Sequence, residues 1–242
     1  MKKTDWTLPP DSLSLDARQV DVWRLSLDLS ADSVKSIEST LSADEKERAV
    51  RFHFEVDKNR YIVSHGALRK ILGRYFHRDP SELTFSVNQY GKPTLVNSTL
   101  EFNLSHSGDF VLIAVTQGRK IGVDVERIRQ GISSHVIAQQ YFSKAEVAEL
   151  QSLPLEQRES AFFICWTRKE AYIKAQGLGL SLPLESFDVS LTPGHPAILR
   201  ATRPDPTESA RWSLLSMDVD PNYAGALAVE KDTLDFRFFS YH

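Results

Sequence analysis

Two kinds of apolar pattern take turns along this chain. "VDVWRL" (20–25) and "GVDVERI" (122–128) alternate apolar and polar positions, the period of a strand with one buried face. Longer apolar-rich stretches near 57–75 and 158–176 read as two helices. Ahead of each helix stands a capping-box match, Ser42 with Glu45 and Ser143 with Glu146, which predicts a shorter helix start. After each come short apolar runs broken by Gly and Pro. They are "LTFSVNQYGKPTL", "EFNLSHS" and "DFVLIAVTQG" in the first half, and "SFDVSLT", "HPAILRAT", "RWSLLSMDV" and "AGALAVEK" in the second.

The order repeats. Val20 and Val123 open matching strands at an offset of 103, Ser42 and Ser143 match at 101, and Gly91 and Gly194 at 103. Matches in a constant order carry more weight than any one of them. The prediction is an α+β fold, a pseudodimer of two similar subdomains spanning 1–118 and 119–242. "PPDS" and "TRPDPTES" (202–209) read as loops. Two halves in one chain already supply an interface, so a monomer is expected.

Composition narrows the class without naming it. The 242 residues are 41% hydrophobic and 25% charged, an ordinary globular balance. Net charge is −3, which gives no global attraction to nucleic acid or an anionic membrane. Cys165 is the one cysteine, so no intrachain disulfide can form and a reducing compartment fits. The start, "MKKTDWTLPPDSL", lacks the apolar core of a secretory signal, and no run suits a membrane span. The expected location is the cytoplasm.

The candidate chemistry lies in the second half. Asp124 and Glu126 are two apart on a strand, so their carboxylates share a face. On the helix, Trp166, Glu170 and Lys174 follow at four-residue steps, one stripe. The plain readings are two solvated carboxylates and an exposed i, i+4 ion pair; a stripe that begins with Trp speaks against the second. If strand and helix are neighbours, Asp124, Glu126 and Glu170 form an oxygen-only set suited to a hard divalent cation, with Lys174 one turn along to meet a phosphate. The first-half counterparts are Asp21 and Trp23, so the acidic pair exists once, leaving binding to the first half. "NLSHS" offers Ser105 and His106 as phosphate ligands; "YGKP" (Tyr90, Gly91, Lys92, Pro93) is a turn with an aromatic and a lysine. Cys165 reads as a small core residue.

"GVDVE", then "WTRKEAYIKAQGLGLSLPLESF", with "YGKP" and "FNLSHS" upstream, resembles the 4′-phosphopantetheinyl transferases of the larger, Sfp type, over about 41–229. The resemblance implies a pseudodimer binding coenzyme A between its halves. It implies transfer of the 4′-phosphopantetheine arm to a serine hydroxyl of an apo acyl or peptidyl carrier protein, with release of 3′,5′-ADP. Asp124, Glu126 and Glu170 then correspond to Mg²⁺ ligands, with Mn²⁺ as the alternative metal. Glu170 or Glu126 corresponds to the base for the incoming serine, and Lys174 to a contact of the coenzyme A phosphates. Lys169 lies in the same motif. Ser105 and His106 correspond to pyrophosphate contacts, Tyr90, Gly91, Lys92 and Pro93 to the adenine side, and Arg48 and Arg60 to the 3′-phosphate contacts. "SADEKERAVRF" departs from the family in carrying Asp44 and Glu45 among its basic residues. "RIRQGISSH" (127–135) reads as a mobile loop, with Arg127 and Arg129 as candidates to meet an acidic carrier helix, helped by Ile132 or Val136. The alternatives are a Mg²⁺-dependent coenzyme A or nucleotide pyrophosphate hydrolase, and a non-catalytic coenzyme A-binding module.

Overall fold

The computed structural model describes residues 4–132, 134–203 and 205–241, the side chain of Leu180 apart. Ser133 and Pro204, in the loops expected at 127–135 and 202–209, lie outside the described residues, as do the N-terminal lysines Lys2 and Lys3. The first half runs β1 (Gln19–Ser26), α1 (Ala31–Glu38), α2 (Ala43–Ala49), α3 (Glu55–Phe76), β2 (Phe85–Val87), β3 (Pro93–Leu95), β4 (Leu100–Ser107) and β5 (Phe110–Gln117). The second repeats it: β6 (Ile121–Arg127), α4 (Ser134–Tyr141), α5 (Lys144–Ser152), α6 (Leu155–Gln176), β7 (Phe187–Val189), β8 (Leu199–Thr202), β9 (Trp212–Met217) and β10 (Tyr223–Glu230). The sheet orders β1-β5-β4 and β6-β10-β9 correspond strand for strand, all antiparallel.

The last strand, β11 (Asp235–Tyr241), corrects the partition at 118. It crosses back and pairs parallel with β1, so the chain's end completes the first half's sheet. Its "DFRFFSY" has no partner in the first half's own pattern, which is why periodicity alone missed it. The segment expected as a mobile loop at 127–135 is also shorter than that, because α4 begins at Ser134.

Alternation along the strands divides the core. Val20 and Val22 of β1 and Ile121, Val123 and Val125 of β6 feed a central cluster that draws on both sheets. The opposite faces carry Asp21 and Trp23, or Gly122, Asp124 and Glu126, toward each half's own helices. Apolar side chains of α3 and of α6 fill the two outer clusters.

Each half has the same internal staple. Both capping boxes form, and each box glutamate also holds a buried cation. Glu45 meets Arg69 at 2.6 Å, and Glu146 meets Lys169 at 2.8 Å. Arg69 donates on to the carbonyls of Pro80 and Leu83, and Lys169 to those of Leu184 and Phe187. A buried charge is tolerated when it is paired and supported by further hydrogen bonds, and both cations have a carboxylate and two backbone carbonyls.

Candidate active site between the halves

Gly122 sets the distance between β6 and α6. A Cβ there would collide with the backbone of Ala171 and Ala175, so glycine lets the helix lie directly on the strand. Glu170 and Lys174 thereby come alongside Asp124 and Glu126. The Lys174 ammonium donates to Asp124 Oδ1 at 2.6 Å and to Ser105 Oγ at 2.8 Å, and makes no ion pair with Glu170 among the described residues.

The first half reaches across through β4. Asn103, Ser105 and Ser107 lie on one face of that strand and all bond to β6. Asn103 Oδ1 accepts the Val123 N–H at 2.9 Å, Ser105 donates to Asp124 Oδ1 at 2.7 Å, and Ser107 donates to Glu126 Oε2 at 2.7 Å. Asp124 is 3% exposed, yet its second oxygen, Oδ2, is buried without a hydrogen-bond partner. An orphaned buried carboxylate oxygen is costly and calls for an unseen partner.

The electrostatics agree. Burial pushes the Glu126 carboxyl above the usual carboxylate range, and the Asp124 charge adds to it. Glu170 is pushed up likewise, first by burial and then by Asp124. Three carboxylates crowded in a half-buried place want protons or a cation. Among the described residues no three such side chains are already drawn into a coordination group. The donor set, all carboxylate oxygen with one orphan, nevertheless fits a hard divalent cation.

Cations stand nearby. His106 is held below its ordinary value by burial, then by the charges of Lys174 and Arg60. Arg60 is loosely paired, 3.7 Å from Asp109 and 3.8 Å from Asp57. Arg48 lies over the Tyr61 ring, lining a shallow pocket of about 540 Å³ with Arg51 and Phe52. Sequence reasoning passed over His65. Its ring stacks on Tyr61 at 3.9 Å, and its Nδ1 faces the Tyr61 carbonyl at 3.0 Å.

Three expectations need correction. Lys169 does not reach the cleft: it is wholly buried on Glu146, as the counterpart of Arg69. It stands five positions before Lys174, a step that turns the two side chains to different sides of α6. Lys92 does not offer its charge to a phosphate, since its ammonium donates to the carbonyls of Ile121 and Ala175. With Asn88, which donates to the Gly177 carbonyl, it ties the β2–β3 hairpin to the C-terminal end of α6, where a cation is favourable. Ser105, expected with His106 as a pyrophosphate contact, instead has its hydroxyl between Asp124 and Lys174, while His106, the adjacent strand residue, faces the other way. In the same turn Tyr90 is exposed and Gly91 adopts φ +85°, which only glycine takes readily.

Comparison with known proteins decides the family. Residues 120–228 match the model of the 4′-phosphopantetheinyl transferase superfamily, and 28–118 match that of the 4′-phosphopantetheinyl transferase N-terminal domain. The 4′-phosphopantetheinyl transferase HetI of Nostoc sp. is 38% identical over 245 residues, covering all of both chains.

The chain is a 4′-phosphopantetheinyl transferase of the Sfp type.

Further relatives agree. The transferase Sfp of Bacillus subtilis is 31% identical over 82% of this chain and 86% of its own length. The transferase gsp of Aneurinibacillus migulanus is 32% identical over 70% of each. The two family models meet at the link between β5 and β6, the first covering α1 to β5 and the second β6 to β10 but for its last residues. No helix among the described residues is long and apolar enough to cross a membrane.

Proposed function

We propose that this transferase moves the 4′-phosphopantetheine arm of coenzyme A to a serine hydroxyl of an apo acyl or peptidyl carrier protein, releasing 3′,5′-ADP, with Mg²⁺ or alternatively Mn²⁺ as its metal. The observation that carries this reading is the orphaned Asp124 Oδ2 beside two carboxylates of raised proton affinity, with Lys174, His106 and Arg60 close by. Asp124, Glu126 and Glu170 would hold the cation, which would draw charge from the pyrophosphate oxygens. Glu170, or Glu126, takes the proton of the serine hydroxyl as its oxygen bonds to phosphorus. The bond from phosphorus to the bridging oxygen breaks, and the pair of electrons leaves with 3′,5′-ADP. Lys174 and His106 face that growing negative charge. Lys174 must release Asp124 in part to do so, and a cation on Oδ2 would favour that exchange. Arg60 and Arg48 serve the 3′-phosphate, with Tyr90, Gly91 and Pro93 on the adenine side; Lys92 acts there only by holding the turn in place.

Arg127 and Arg129, with Ile132 or Val136, remain the surface proposed to receive the acidic carrier. Arg127 is half exposed and only loosely paired, 3.6 Å from Asp109, and Val136 is exposed on α4. The enzyme is proposed to act as a cytoplasmic monomer, without nucleic-acid or membrane partners. The test is a mass shift of apo carrier incubated with coenzyme A and Mg²⁺. Wild type should add the arm, and Glu170→Gln should lower the rate by about 10²–10⁴-fold. Near-normal transfer in that variant would remove Glu170 from the mechanism. Release of 3′,5′-ADP without any carrier would favour the pyrophosphate hydrolase instead.

A further inference from the structure

Ser107 has no part in the chemistry above, yet it makes the one hydrogen bond that Glu126 receives among the described residues. Its hydroxyl both accepts and donates. The oxygen accepts the Arg127 backbone N–H at 3.2 Å, which turns its own hydrogen toward Glu126 Oε2 at 2.7 Å. Glu126 Oε1 has no hydrogen-bond partner among the described residues. The pattern is repeated two residues earlier, where Ser105 holds Asp124 Oδ1 and leaves Oδ2 without a partner. Each strand carboxylate therefore has one oxygen fastened to a β4 serine and one left over.

Ser107 is itself held from the second half. It is 7% exposed and ends β4 at a turn through Gly108, whose φ is +57°. A Cβ on Gly108 would strike the Tyr223 hydroxyl, and that hydroxyl accepts the Asp109 N–H at 3.0 Å. A strand end fixed on both sides can set the direction of a side chain that it touches.

We propose that Ser107 is a positioning residue for Glu126: its hydroxyl, presented by the first half, fixes one carboxylate oxygen so that the other is aimed at the divalent cation. This rests on the function proposed above. The competing account is that Ser107 merely holds the seam between the halves, as Asn103 does without touching a carboxylate.

Mn²⁺ titration of the full-length protein, without coenzyme A, separates the two. Outer partners of metal ligands change affinity by about 10–100-fold, so Ser107→Ala should weaken Mn²⁺ binding by that factor. It should lower kcat and leave the coenzyme A KM within about twofold. Ser107→Thr, which keeps the hydroxyl, should recover most of the Mn²⁺ affinity. Ser107→Cys keeps the volume with a much weaker donor and gives the same reading if the alanine variant is unstable. Asn103→Ala should lower the melting temperature while leaving Mn²⁺ affinity near wild type. Unchanged Mn²⁺ affinity in Ser107→Ala and Ser107→Cys overturns the proposal while carrier modification by wild type stands. Equal weakening by Asn103→Ala overturns it too, since the effect would then belong to the seam. A wild-type protein that binds no Mn²⁺ and modifies no carrier overturns the underlying function.

Discussion

Asp21 and Asp124 occupy corresponding places on β1 and β6, and their surroundings differ in one decisive respect. Asp21 is wholly buried and fully satisfied. Arg237 grips both its oxygens at 2.7 Å, and Tyr75 donates at 2.6 Å. That arginine comes from β11, the strand directly beside β1. On β6 the neighbour is β4, and it brings serines instead of an arginine. Lys174 meets one oxygen of Asp124, and the other stays free. One copy of the repeat carries its own permanent cation. The other leaves one carboxylate oxygen without a partner, and adds Glu126 where the first half has the buried Trp23. A duplicated fold can thus keep one copy for stability and open the other for chemistry.

The sharpest test of that difference is the paired variants Asp124→Ala and Asp21→Ala. Asp124→Ala should lower the transfer rate by about 10²-fold or more, while changing stability by no more than about 1 kcal/mol, because its partner Lys174 is partly exposed and can return to water. Asp21→Ala should do the reverse. Leaving Arg237 and Tyr75 without their acceptor should cost about 2–4 kcal/mol, read by urea unfolding, with the transfer rate per folded molecule largely kept. A catalytic collapse in Asp21→Ala without loss of stability would end the comparison.

The two lysines of α6 extend it. Lys169→Met strands the Glu146 carboxylate in the core and should cost about 3–5 kcal/mol. Lys174→Met also leaves Asp124 without its ion-pair partner, but Asp124 keeps its Ser105 hydrogen bond and can take up a proton, so the variant should cost less, about 1–2 kcal/mol, and act chiefly on the rate. If Lys169→Met instead raises the coenzyme A KM at unchanged stability, its assignment as a staple fails.

The smallest expected effect is on pH dependence without metal. Because Glu170 has its proton affinity raised on folding, the folded state holds that proton more readily than the unfolded chain. Its contribution to stability therefore falls as pH rises from the ordinary glutamate range through the raised value, and stays lower above it. Glu170→Gln should raise the metal-free melting temperature slightly near neutral pH, with no gain at pH values below the ordinary carboxylate range. Mg²⁺ should stabilise wild type more than the variant. A variant that melts lower than wild type at neutral pH would contradict the crowding of the three carboxylates.

Much of this was legible in the chain. The capping boxes at Ser42 and Ser143, the repeated plan and the shared face of Asp124 and Glu126 follow from local rules, because caps and strand alternation depend on residues a few positions apart. The motif that pointed to the family also named Glu170 and Lys174, and its tryptophan proved to be packing: Trp166 lies against Phe142 and Phe162. Lys169 could not be separated from Lys174 by residue type, since both are lysines on one helix. Helical spacing sets them on different sides, and the position of Glu146 shows that Lys169 is the staple.

The sequence by itself determined the elements, their duplication and the inventory of carboxylates, all of which are written in short-range spacing. Tertiary structure decided which charges are free. The return of β11 to β1 gave Asp21 its arginine from 216 residues away, and the approach of β4 to β6 gave Asp124 and Glu126 their serines. Whether a buried carboxylate is satisfied or left wanting a cation depends on partners that long-range packing brings to it, and no local pattern encodes them.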